Sequence, residues 1–361
     1  MSIESDLKKE GIEAIKPIDK LISNSIAQNV SRRIIETFPN YDFTKDEIYK
    51  KLSHLNMYRA KMAEGMAEAS YYYKNTSIYF NEHINTEDLE EFAIHECIHY
   101  LQEIKDSQNN LIRMGLCTYK KEKPTALGLN EAAVQFISSY IIGIEPNFEK
   151  YYNITLYTPS PSYYPLECSL LNEILYFTGT DILFKSTLFS NDDFKNLIIE
   201  KTSESTYTKI ISSFDLLIKF EEDLIKQNNK ISSLENGDTR IYSLNSKSNK
   251  LKRKILNTYI STQNLIIKEF SKNEFNQISN LEELENFRHK IYKFSDILGT
   301  VKQYKFFDLF YSEMMNKLEH KYNILEQSET ETAIAKRPHH FIFEFFNRLF
   351  KLGKNKAKET N

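Results

Sequence analysis

The nine residues Ile94-His95-Glu96-Cys97-Ile98-His99-Tyr100-Leu101-Gln102 constrain this chain more than any other stretch, because they hold the spacing His-Glu-x-x-His. Residues four apart on an α-helix share one face and lie roughly 6 Å apart along its axis. The imidazoles of His95 and His99 can therefore converge on one metal ion, each offering a neutral nitrogen at about 2.0–2.1 Å if the ion is zinc. Glu96 projects beside them toward a water on that ion and is the natural general base. The flanks predict a helix. Asn85 or Thr86 can cap it, Glu87 and Asp88 put negative charge in its first turn, and Leu89, Phe92 and Ala93 begin an apolar face.

Eight histidines in 361 residues would produce this spacing by chance in roughly one of fifty to a hundred such chains, so a second signal is needed. Composition narrows the setting. With 41% hydrophobic and 13% aromatic residues the chain can bury substantial cores, and a net charge of -3 provides no basic field for nucleic acid. Nine glycines, eight prolines and no tryptophan lean toward helix, with strand a minority element. Cys97, Cys117 and Cys168 are odd in number and lack a CxxC spacing, which argues against a disulfide framework and against a thiolate zinc site. Charged residues occupy the first twenty positions, where a signal peptide would carry an apolar core, and no stretch reaches the roughly 18 apolar residues of a membrane span. The expected location is cytoplasmic.

Upstream of the motif, the first sixty residues read as helices, with apolar positions at Ile12, Ile15, Ile18, Leu21, Ile22 and Ile26 and again from Val30 to Phe38. A further short helix is expected from Thr44 to His54. Ala69 to Tyr73 and Ile78 to Phe80 are aromatic and β-branched runs separated by the turn-forming Lys74-Asn75-Thr76-Ser77. They predict two short antiparallel strands leading into the motif helix. Downstream, Tyr100 to Lys123 reads as a polar connection, and Leu129-Asn130-Glu131-Ala132-Ala133-Val134-Gln135 opens a second helix that stops at Gly143.

A hairpin running into a His-Glu-x-x-His helix, followed by Asn-Glu-Ala on a later helix, resembles the zincin metallopeptidases, and within them the gluzincin, thermolysin-like branch. The likeness covers about residues 65 to 180. It implies a zincin-like domain in a mainly α (α+β) chain, with a small antiparallel sheet and an active-site helix. It also implies one Zn²⁺ per chain, with Glu131 as third ligand beside His95 and His99, and Asn130 and Gln135 around the ligands. The branch often has an acidic residue where Gln135 stands, accepting a hydrogen bond from the first histidine; Gln135 can accept that bond but brings no charge. The outer strand, Ser70, Tyr71 and Tyr72, would by this resemblance be the edge on which an extended peptide substrate pairs. Peptide hydrolysis also needs a donor to the developing oxyanion. No histidine occurs between His99 and His289, so within this domain the candidates are Tyr157, Tyr163, Tyr164 and Arg113.

The expected organisation is a helical N-terminal region over 1–60, the zincin-like domain over 61–226, a helical accessory domain over 227–335 and a tail over 336–361. In the zincin-like domain, helices are expected near Leu166–Phe177, Asp181–Phe189 and from Asp192. The accessory region should hold helices near Ser246–Ser271, Leu281–Phe294 and Val301–Leu325. Between Lys336 and Lys358 seven basic residues stand against one acidic, interleaved with Phe341, Phe343, Phe345, Phe346 and Phe350. Such a segment suits peripheral contact with an anionic membrane or with a protein, or a terminal helix covering the core. The functional expectation is a zinc metallopeptidase acting on a peptide or protein. Two alternatives stand beside it: an inactive zincin-fold module that binds metal or peptide, and a helical interaction protein in which the motif is accidental.

Overall fold

The computed structural model describes residues 3–63, 65, 67–121, 123–235, 238–299 and 306–335. Its described residues divide into two compact units, one of residues up to 273 with those of 294–307, the other of 274–293 with 308–335. The described chain is mostly helical with small sheets.

The first unit opens with α1 (Ile3–Lys9) and then departs from the helical expectation, because Ile12–Pro17 is a strand, β1. Ile12, Ile15 and Ile18 have helical spacing, but Pro17 cannot occupy a helix interior, and the β-branched isoleucines suit an extended backbone. After α2 (Lys20–Thr37) and α3 (Lys45–Leu52) a second unforeseen strand, β2 (Asn56–Met62), pairs antiparallel with β1. Helix α3 starts at a capping box in which Thr44 Oγ1 accepts from the Glu47 amide and the Glu47 carboxylate accepts from Thr44.

The foreseen hairpin follows as β3 (Ala69–Tyr72) and β4 (Ser77–Asn81), antiparallel with Tyr71 opposite Ile78. It does not stand alone. The sheet order is β1-β2-β4-β3, with β2 parallel to β4, so the sheet is mixed and not purely antiparallel. Central β4 is covered on both faces, with Ile78, Tyr79 and Phe80 all buried. Strand β3 is left at the edge.

The motif helix α4 spans Leu89–Leu101, entered through a single 3-10 turn at Thr86–Asp88. Neither expected cap forms. The Asn85 amide donates to Asp88, and Thr86 Oγ1 accepts from Arg59. The expected polar connection is a four-stranded antiparallel sheet, β5 (Glu103–Lys105), β6 (Leu111–Met114), β7 (Cys117–Lys120) and β8 (Lys123–Thr125). Its turns are built by Asp106, whose side chain accepts from the amides of Gln108 and Asn110, and by Asn109 and Gly115 at positive φ.

Helix α5 (Leu127–Ile142) is apolar nearly all round and runs through the middle of the unit, with Leu129, Ala132, Ala133, Val134 and Ile137 buried. A hairpin of β9 (Asn147–Tyr151) and β10 (Ile154–Thr158) turns at Tyr152 and Asn153, both left-handed. Then come α6 (Pro165–Thr178), α7 (Asp181–Leu188), α8 (Asp193–Lys201), α9 (Glu204–Ser232) and α10 (Arg240–Gln277). The core gathers α2, α4, α5, α6 and α9 through residues such as Val30, Ile94, Ile98, Leu170, Leu171 and Phe214.

In the second unit α11 (Leu281–Phe294) and α12 (Phe306–Ala335) pack Leu284, Phe287 and Ile291 against Met314 and Leu318. The expected start of the last helix at Val301 and the basic tail over 336–361 lie outside the described residues. Among the described residues no helix is long and apolar enough to cross a membrane, and the three cysteines are free and buried.

Candidate metal centre

Helix α4 buries Ala93, Ile94, Cys97 and Ile98 in the core, which turns His95 and His99 together toward α5. The alanines at 132 and 133 are fully buried and let α5 come close. Glu131, near the start of α5, thereby meets both histidines. The ligand atoms of His95, His99 and Glu131 lie within 4.8 Å of one another. Glu131 Oε2 is 3.3 Å from His95 Nε2 and 3.3 Å from His99 Nε2, and the two Nε2 atoms are 2.9 Å apart. Donors about 2.0–2.1 Å from a tetrahedral ion stand about 3.3 Å from each other; the two separations to Glu131 match this, the two nitrogens lie closer, and the group could hold a metal ion.

Electrostatics within the triad is strong because the groups are buried. Burial alone would raise the Glu131 carboxyl, but His99 and His95 outweigh it and hold the group far below the usual carboxylate range. Burial alone would lower His99; the Glu131 charge outweighs that and raises it.

The orientation of His95 is set from behind. Its Nδ1 lies 2.9 Å from Gln135 Oε1, while Gln135 Nε2 donates to Ser139 Oγ at 3.5 Å, which turns the amide oxygen toward the ring. The imidazole then carries its proton on Nδ1 and offers Nε2 to an ion. His99 is backed by the side-chain amide of Gln102, which favours the protonated ring, with no hydrogen bond of ordinary geometry between its buried Nδ1 and that amide. Asn130 reaches no ligand. Its Oδ1 accepts from the Leu116 amide at 2.8 Å, and a Cβ on Gly115 would lie 2.2 Å from that oxygen, so Asn130 locks the β6–β7 turn onto α5.

Glu96, 8% exposed, lies between the triad and the edge strand, its charge acting on His99 and on Tyr164. Its Oε2 accepts from the backbone N–H of Tyr71 at 2.7 Å. The outward-facing amide of β3 is thus beside the carboxylate that follows the first histidine. Of the three edge residues, Tyr72 packs inward with Leu7, Ile12 and Tyr79, and Ser70 is half-buried. Tyr71 leans on Tyr100 and donates its hydroxyl to Glu103 Oε1 at 2.7 Å, which ties β3 to the far end of α4.

The chain matches no family model, no curated protein and no solved structure. Its site is therefore read from its own geometry.

Among the four residues considered as oxyanion donors, the structure brings Tyr164 to the cluster. Its ring stacks on His95 with centroids 6.0 Å apart, and its hydroxyl faces the Glu131 carboxylate. Burial first, then the charges of Glu131 and Glu96, keeps it a neutral phenol able to donate. Tyr164 sits at φ 48° just before Pro165, a left-handed conformation that costs a non-glycine residue about 1 kcal/mol or more. The other three go elsewhere. Tyr163 packs edge-on against Phe92, and Tyr157 against Phe148. Arg113 is taken up by the carbonyls of Gly115 and Asn191 and by Asp192. Glu103 had no local signal, since its role depends on Tyr71, distant in sequence.

Proposed function

We propose that this chain is a zinc-dependent metallopeptidase of the zincin type, gluzincin branch, acting on peptides or proteins. The observation that carries the reading is the convergence of His95, His99 and Glu131 beside a carboxylate, Glu96, that faces the outward amide of an edge strand. The mixed sheet with its antiparallel edge strand ahead of α4 supports the zincin-like part of the proposal. His95, His99 and Glu131 would hold one zinc, which when bound would supply Lewis acidity to a water and to the scissile carbonyl. Glu96 takes the proton of the attacking water and passes it to the leaving amine as the C–N bond breaks. Tyr164 donates its hydroxyl hydrogen to the carbonyl oxygen as that oxygen gains charge. The peptide lies extended along β3, its main chain paired to the strand and its scissile bond carried past Glu96.

A second reading, a zincin-like module that holds metal without turnover, is favoured by one observation: Gln135 backs His95 with a neutral amide where a carboxylate would raise the basicity of the ring. One experiment separates the two. Elemental analysis is run on wild type, His95→Ala, Glu131→Ala and Glu96→Gln, together with cleavage of a broad fluorogenic peptide library. The peptidase reading expects about one zinc per chain in wild type and Glu96→Gln, loss of it in His95→Ala, and cleavage reduced by about 10²–10⁴-fold in Glu96→Gln. Retained zinc with no cleavage by wild type selects the module. Undiminished cleavage by Glu96→Gln rejects the role given to that residue.

A further inference from the structure

Helix α5 carries Glu131 in its second turn, yet its own sequence provides nothing to close its N-terminus. The residue at its N-cap is Ala126, in a left-handed conformation at φ 64°, and no side chain of the local sequence caps the helix. Orphan amides at a helix start need acceptors, and a helix without them frays in its first turn. The acceptor comes from 87 residues downstream. Asp215, on α9, takes the Gly128 amide on Oδ1 at 2.8 Å and the Ala126 amide on Oδ2 at 3.3 Å. Both oxygens of one half-buried carboxylate thus hold the start of α5, and the negative charge sits at the positive end of the helix dipole.

A second observation makes this contact stiff. A Cβ added to Gly128 would lie 2.5 Å from the backbone carbon and oxygen of Phe214 and 2.9 Å from the Asp215 amide. The backbone of α5 therefore rests directly on the backbone of α9, with no side chain between them to yield. Phe214 and Leu217 of α9 are fully buried, so α9 cannot retreat. Glu131 lies three residues beyond Gly128, about one helical turn. A shift or unwinding at Gly128 is passed to the Glu131 carboxylate, whose oxygen must stay within contact of two imidazoles at once.

We propose that Asp215 is a positioning residue of the metal centre, capping α5 from a second helix and so fixing where Glu131 presents its carboxylate. This rests on the metal-centre reading above. A purely structural cap would also stabilise the fold, so the test compares metal binding with stability. Zinc affinity is measured by chelator competition, the absorption of the Co²⁺-loaded protein is recorded, and thermal unfolding of the metal-free protein is followed. The proteins are wild type, Asp215→Ala, Asp215→Asn and the control Thr44→Ala, which removes the cap of α3.

The expected result is zinc affinity lowered by about ten-fold or more in Asp215→Ala with an altered Co²⁺ spectrum. In Asp215→Asn, which keeps one acceptor oxygen, part of the loss is recovered. Thr44→Ala should lose stability without losing zinc affinity. If Asp215→Ala fails to fold, Asp215→Asn carries the comparison, with its affinity expected between wild type and a several-fold loss. Wild-type affinity and spectrum in the Asp215 variants would overturn the proposal while leaving the metal centre standing. A wild-type protein that binds neither zinc nor Co²⁺ would instead overturn the metal centre, and the positioning role with it.

Discussion

Tyr164 shows how one side chain can be fixed by several weak constraints acting together. Its ring is held by His95, its hydroxyl faces Glu131, and Pro165 behind it starts α6. Replacing it by phenylalanine keeps the stacking and removes only the donor. Tyr164→Phe should retain zinc by elemental analysis and lower kcat by about 10²–10³-fold, the usual cost of deleting one oxyanion donor, with little change in KM. A fall in KM-based affinity with kcat unchanged would place the residue in substrate binding instead. Gln135 poses the complementary question for His95, since the amide supplies direction without charge.

At the scale of elements, α6 is joined to its neighbours by buried acids that have no cationic partner among the described residues. Glu173 is fully buried, takes a hydrogen bond from Gln263 of α10 and leaves its second oxygen unbonded. Burial pushes its carboxyl up to about 8 from an ordinary 4.5. Glu167 of the same helix faces Glu221 of α9, and burial pushes it up to about 7, with Glu221 raised as well. A group whose folded pKa is raised contributes stability that is complete below its unfolded pKa and is lost as pH rises through the folded value. For Glu173 that window runs from about 4.5 to about 8. Stability should therefore fall across neutral pH, by up to about 1.4 kcal/mol per pH unit for each such group. Denaturant unfolding from pH 5 to 8.5 should show this decline, and Glu173→Gln should flatten it. A variant whose pH profile overlays that of wild type would contradict the assignment of a neutral Glu173.

On the scale of the whole molecule, the two units have separate cores, and the candidate metal centre draws its residues, His95, His99 and Glu131, from the first. The second is held by Leu284, Phe287, Ile291, Met314 and Leu318. Leu318 is fully buried there, so Leu318→Ala should cost about 2–5 kcal/mol, as core truncations of this kind do. Zinc content should stay at the wild-type level. Loss of metal along with the second core would mean that the centre depends on residues beyond the first unit.

The local part of this molecule was legible in the sequence. His-Glu-x-x-His on α4, the β3–β4 hairpin around Lys74-Asn75-Thr76, the start of α5 near Asn130 and the order of α6 to α8 all follow from spacing, turn residues and apolar periodicity. These signals are complete within a dozen residues, where side chains three or four apart, or alternate residues on a strand, already meet. The strands β1 and β2 were missed because each is specified by the strand it pairs with, and Ile12 meets Met62 across fifty positions of chain; β5 to β8 are local pairings with turn residues between them, but strands of three or four residues are too short to show an alternating pattern. The same reason governs the site. The sequence offered four equal oxyanion candidates and no cap for α5. Only the packing of α6 and α9 against α5 placed Tyr164 beside His95 and set Asp215 at the amides of Ala126 and Gly128, since those neighbours exist only once the helices have come together.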